Sequence, residues 1–183
     1  MMNETPGSTN TKEILFENRR LFLTGEITDE LSEKLIADIM VLGGLSKDPI
    51  ELYINSVGGS VDAGLALYDI MQTINIPILT YAIGQVSSMA TIILVSGNLR
   101  YAFPNSTIMI HQAGGGATGK AAEVKAYADD LCRANRLMLK LLAKHTKQPK
   151  KILESLITTE FFMTATKALQ LNFIDEIVKK RIK

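Results

Sequence analysis

From Ile70 to Leu99 the chain carries no Asp, Glu, Lys or Arg, a run long enough to cross a bilayer. Gln72, Asn75, Pro77, Gly84, Gln85, Ser87 and Ser88 interrupt it. Length and breakers together read as strand, turn and buried helix, not as a membrane span. A chain of 183 residues with this segment at its centre folds around it as one core. Hydrophobic residues at 46% and charged residues at 21% fit an ordinary globular protein.

The elements around that segment alternate. A strand at Arg20–Thr24 precedes a helix from Thr28, with Asp29 and Glu30 in its first turn and Leu31, Leu35, Ile39 and Leu42 on one face. Gly43-Gly44 is expected to stop it. A strand at Ile50–Asn55 leads through Gly58-Gly59 into a helix bearing Leu65, Leu67, Ile70, Met71 and Ile74. The unit repeats with a strand at Ile78–Ile83 and a helix from Ser88 to Val95. Short strands follow at Tyr101–Phe103 and Thr107–Ile110, then a long helix over Lys120–Lys144. Its apolar seam, Val124, Tyr127, Leu131, Ala134, Met138 and Leu141, suits either a projecting helix or one laid along the core. Pro149 fits the first turn of a further helix. A strand near Phe161, a short helix from Thr164 and a strand at Phe173–Val178 complete the chain. Strands alternating with helices predict an α/β domain with a largely parallel sheet. Residues 1–13 are expected to form a mobile tail and 14–183 a single domain.

Several functions are excluded by what is missing. The 20 basic and 19 acidic residues are well mixed, for a net charge of +1, so no nucleic-acid footprint stands out. The basic run Lys179–Lys183 reads as a solvated helix end. One cysteine, Cys132, and two distant histidines give neither a disulfide nor metal-ligand spacing. The lone thiol and the absence of a basic-then-apolar leader favour a reducing, cytoplasmic setting. Gly114 to Lys120 imitates a phosphate loop, but Ala121 stands where a metal-binding hydroxyl is required.

What remains is a serine and a histidine. Ser88 heads the buried helix, and His111 follows the strand Thr107–Ile110, so the two can meet as nucleophile and base. Met89 offers a backbone N–H at a helix start, and the Gly58-Gly59 turn offers a second donor for an oxyanion. His145 sits at the end of the long helix, where a cationic and exposed imidazole suits the dipole.

These residues together resemble the proteolytic subunit of the Clp protease, a self-compartmentalised ATP-dependent serine peptidase. The similarity runs from Ile14 to Val178, through Tyr53-Ile54-Asn55-Ser56-Val57-Gly58-Gly59, Gly84 to Ala90, and Met109-Ile110-His111-Gln112. The resemblance implies the spiral α/β architecture of Clp peptidases and crotonases, built of strand–strand–helix units. It also implies stacked heptameric rings, with the helix over Lys120–Lys144 as a protruding handle. It assigns Ser88 as nucleophile, His111 as base, and the amides of Gly59 and Met89 as the oxyanion hole. Before Phe162-Met163-Thr164-Ala165 the family's triad aspartate falls on Glu160. Val57 and Ala113 replace prolines of the family pattern, and Thr159 replaces an arginine. The implied substrates are unfolded polypeptides delivered by an AAA+ unfoldase, with no cofactor in the hydrolysis itself. Two alternatives remain: a non-catalytic ring subunit working with an active paralogue, and an acyl-CoA enzyme of the crotonase type.

Overall fold

The computed structural model describes residues 11–179. Most of the expected tail, 1–10, and residues 180–183 lie outside the described residues. Residues 11–13 open a helix that the sequence did not announce, α1 (Thr11–Glu17). Lys179 lies beyond the last strand and in no helix, contrary to the expected helix end.

After α1 come β1 (Arg20–Ile27), α2 (Asp29–Leu45), β2 (Ile50–Gly59), α3 (Val61–Thr73), β3 (Ile78–Ser87) and α4 (Met89–Val95). Then follow β4 (Leu99–Ala102), β5 (Thr107–Ile110), α5 (Ala121–Thr146), α6 (Lys150–Leu156), β6 (Phe161–Thr164), α7 (Ala165–Gln170) and β7 (Glu176–Ile177). The main path of the sheet runs β1-β2-β3-β4-β7, with β5 beside β3 and β6 beside β5. Every pairing is parallel except β5 with β6.

Local chemistry explains most boundaries. The Thr28 hydroxyl accepts from Leu31 N at 3.2 Å and caps α2, a contact worth about 1 kcal/mol. Leu35, Ile39 and Leu42 are buried as their spacing predicts. Gly43-Gly44 does not end the helix, which runs on to Leu45. A Cβ at Gly43 would meet Ile74 Cδ1 at 2.5 Å, so that glycine lets α2 close on the end of α3. Pro149 is the residue before α6 and not within its first turn. The last strand is shorter than expected, because Phe173 and Ile174 are buried in the core ahead of it instead of pairing.

The uncharged run resolves into the end of α3, all of β3 and α4, and the start of β4. Every residue of α4 is buried, which explains a helix apolar all round. Each Ile, Leu or Val there contributes roughly 1.5–3 kcal/mol by leaving water. No helix among the described residues is long and apolar enough to cross a membrane.

One face of the sheet packs Leu21, Leu23, Leu52, Ile54 and Ile78 into this core. The opposite face carries Phe22, Tyr53, Tyr81 and Tyr101, which are in register across β1 to β4. Their rings stack with centroids 5.3, 4.8 and 4.7 Å apart. Parallel sheets are normally covered on both faces; in this chain Phe22 is still 41% exposed.

Helix α5 answers the projection question in two halves. All of residues 121–130 are exposed, while Ala134, Leu139, Leu141 and Leu142 are buried. At about 1.5 Å per residue its 26 residues extend roughly 39 Å. Its last turn corrects the reading of His145. The imidazole is half-buried, with Nε2 at 2.9 Å from the Tyr68 hydroxyl, which also accepts from Lys144 Nζ at 2.9 Å. Burial first, then the charges of Lys144, Arg100 and Lys147, push its pKa down to about 4. His145 is therefore neutral at neutral pH, not a cationic helix cap.

Candidate active site

The site is built where β3 changes partners. Its first half, Leu79–Ala82, pairs with β4, and its last residues, Gln85–Ser87, pair with β5. Gly84 makes the break at φ +62, a conformation that favours glycine. The Asn55 side chain secures the same point by accepting from Gln85 N at 3.1 Å. Because Ser87, the last residue of β3, lies opposite Met109, Ser88 just past β3 and His111 just past β5 converge.

Ser88 turns the chain from strand to helix at φ 57 and ψ −125. A non-glycine residue at positive φ is strained by about 1–2 kcal/mol and persists only when its surroundings fix it. Those surroundings are visible. Ser88 N donates to Met109 O at 2.9 Å, and Thr91 Oγ1 donates to the same carbonyl at 2.8 Å. The turn aims the Ser88 side chain at His111, with Oγ and Nε2 2.8 Å apart. Both residues are half-buried.

The oxyanion candidates lie alongside. Met89 is the first residue of α4, so its N–H has no partner within the helix. Gly58, at φ +94, packs against it: a Cβ there would lie 2.7 Å from Ser88 Cβ and 3.1 Å from Met89 N. The Ser56 hydroxyl accepts from Gly58 N at 3.1 Å and fixes this turn. Gly59, the next residue, borders a cavity of about 320 Å³ that Leu65, Ala113, Gly114, Tyr127 and Leu137 also line.

Glu160 is placed differently. It is exposed and makes no hydrogen bond or ion pair with His111 among the described residues. Its backbone is nonetheless close in register. The β5–β6 ladder ends with Ile110 opposite Phe161, and one further antiparallel pair would set Glu160 across from His111. Residues directly opposite in such a ladder have Cβ atoms about 4.5–5.5 Å apart.

Sequence reasoning missed Thr91, Asn55 and Asn135, the last of which bonds the backbone of Ala113. Each acts on backbone more than 15 residues away, and nothing local marks it. No group of three or more His, Cys, Asp or Glu suited to a metal occurs among the described residues.

A strand-to-helix turn bearing a serine, a histidine on its hydroxyl and the helix-start amide of Met89 beside it is equipment for acyl transfer. The family model for Clp protease matches residues 3–181. The chain belongs to the Clp protease family. Its α/β fold with a mixed sheet is that of a Clp proteolytic subunit, and the family is one of peptidases. Within it, Val57 in place of the expected proline is 56% exposed and leaves the Gly58 turn intact. Ala113, in place of the other proline, keeps an N–H that it uses.

Proposed function

We propose that this Clp protease subunit is a serine endopeptidase that cleaves unfolded polypeptides through an acyl-enzyme. The observation that carries the reading is the 2.8 Å separation of Ser88 Oγ and His111 Nε2. Hydrogen-bond reach between nucleophile and base is what proton removal requires. In acylation Ser88 Oγ attacks the scissile carbonyl carbon while His111 takes its proton. The amides of Gly59 and Met89 receive the negative charge on the carbonyl oxygen. His111 then gives the proton to the leaving amine as the C–N bond breaks. Water repeats the cycle on the ester, with His111 again as base, and releases the acid with Ser88 restored.

Glu160 is the proposed orienting carboxylate, on the strength of its register opposite His111. Reorientation of its side chain toward Nδ1 completes the set. Chemistry of this kind needs no cofactor. The single peptidase domain, 14–183, works in stacked heptameric rings in the cytoplasm, supplied by an AAA+ unfoldase. The projecting half of α5 and the uncovered aromatic face are surfaces that support such assembly.

A second reading has its own observation. Glu160 makes no bond to His111, which favours a ring subunit that is structural and relies on an active paralogue. Turnover of a fluorogenic peptide by the assembled protein alone separates the two. Hydrolysis that vanishes in Ser88→Ala supports the peptidase. No turnover, under conditions where an active relative cleaves the same peptide, supports the structural subunit.

A further inference from the structure

His111 lies just beyond the end of β5, and residues 111–118 belong to no helix or strand. The direction of its ring therefore depends on what holds the chain immediately after it. Gln112 N donates to Ile157 O at 3.2 Å. Ala113 is held more firmly, through both of its backbone polar groups and by one side chain. Asn135 Oδ1 accepts from Ala113 N at 2.7 Å, and Asn135 Nδ2 donates to Ala113 O at 3.0 Å. This is the two-bond exchange of a β-ladder pair, made by an amide side chain in place of a second strand. Asn135 stands on α5 beside buried Ala134, at the level where the helix passes from its exposed half to its packed half. The clamp thus ties the loop to a part of α5 that is itself anchored in the core.

We propose that Asn135 is a positioning residue for His111. It replaces missing sheet structure after β5 and keeps the imidazole on Ser88. The inference rests on the reading of Ser88 and His111 as nucleophile and base. Ala113 also lines the cavity beside Gly59, so the alternative is a merely structural role: a wall for substrate. The two roles separate kinetically. A displaced base slows the chemical step and lowers kcat. A displaced wall weakens substrate binding and raises KM with kcat unchanged.

The experiment compares wild type, Asn135→Ala, Asn135→Asp and the double variant Asn135→Ala with Ala113→Pro, all as assembled protein checked by circular dichroism and mass. Steady-state peptide hydrolysis and the rate of Ser88 phosphonylation by a fluorophosphonate are read for each. Asn135→Ala should lose about tenfold in kcat and in phosphonylation rate, with KM within twofold, as expected for a displacement of a fraction of an ångström. Proline at 113 stiffens the same backbone without the clamp and should recover at least threefold of the loss. Asn135→Asp keeps the acceptor for Ala113 N, loses the donor to Ala113 O and has nearly the same volume. If Asn135→Ala does not fold, this variant carries the prediction, with a loss of about threefold or more, since one of the two clamp bonds is gone. An unchanged kcat in a folded Asn135 variant, or a change confined to KM, overturns the proposal. Absence of phosphonylation in wild type would instead overturn the peptidase reading beneath it.

Discussion

Replacing Gly58 by alanine places one methyl group against the turn that carries Ser88, the proposed nucleophile. The new Cβ would stand 2.7 Å from Ser88 Cβ, 2.7 Å from Ser87 O and 3.1 Å from Met89 N. Carbon atoms rest at about 3.5–4.0 Å, so the turn must yield by about 1 Å. None of the three neighbours is the far end of a flexible chain, and the strain falls on Ser88 and on the amide of Met89. A shift of that size costs on the order of 100-fold in rate, or about 2.7 kcal/mol of barrier. The fold pays separately, by about 1–2 kcal/mol for a Cβ at φ +94 and about 1–3 for overlap. The sum, roughly 2–5 kcal/mol, corresponds to a Tm lower by roughly 5–15 °C in a domain of this size. Gly44→Ala is the control: it lies in α2 and a Cβ there meets nothing within 4 Å. It should raise stability by up to about 1 kcal/mol and leave hydrolysis unchanged. Thermal unfolding and peptide turnover on the assembled variants measure both effects. A Gly58→Ala protein with wild-type kcat would refute the claim that this turn holds the nucleophile in place.

Other outcomes follow from single contacts. Glu160→Gln should lower kcat at least tenfold if the carboxylate orients His111 in the working ring; unchanged turnover would remove Glu160 from the set. His145 titrates at about 4 in the folded chain against 6.5 as its ordinary value, so the unfolded chain binds the extra proton first as pH falls. Its contribution is fully present above pH 6.5 and is lost between 6.5 and 4, by about 1–2 kcal/mol after allowance for partial solvent access. His145→Gln should flatten that part of the curve of unfolding free energy against pH. Arg100 ties β4 to the segment before β7, donating to Asp175 from Nε at 2.8 Å and Nη2 at 2.5 Å, and to Asn172 O from Nη1 at 2.8 Å. The Arg100 side chain is only 11% exposed, so Arg100→Ala should cost about 2–4 kcal/mol in denaturant unfolding, with Arg100→Lys recovering little.

What the sequence made legible was whatever repeats at close range. The apolar spacing of Leu35, Ile39 and Leu42 and the hydroxyl of Thr28 were enough for α2. The charge-free segment was enough for the strand β3 and the buried helix α4. Boundaries failed where packing at a distance decides them, as at Gly43, which serves contact with Ile74 and not helix termination. His145 looked like an exposed cap because nothing near it in sequence shows Tyr68 arriving from α3. At the site, residue type and family resemblance singled out Ser88 and His111, and the fold brings their side chains within 2.8 Å. The devices that hold them were not: the partner change of β3 at Gly84, Thr91 on the Met109 carbonyl, and Asn135 on Ala113.

The central claim is that His111 activates Ser88. Its most direct measurement is the pH-dependent rate at which a fluorophosphonate modifies the assembled protein, with the adduct mapped by peptide mass spectrometry. One adduct is expected, on Ser88, absent in Ser88→Ala and formed at least 1,000-fold more slowly in His111→Ala, the scale on which losing a triad base acts. An adduct elsewhere, or a Ser88 labelling rate that His111→Ala leaves unchanged, would contradict it.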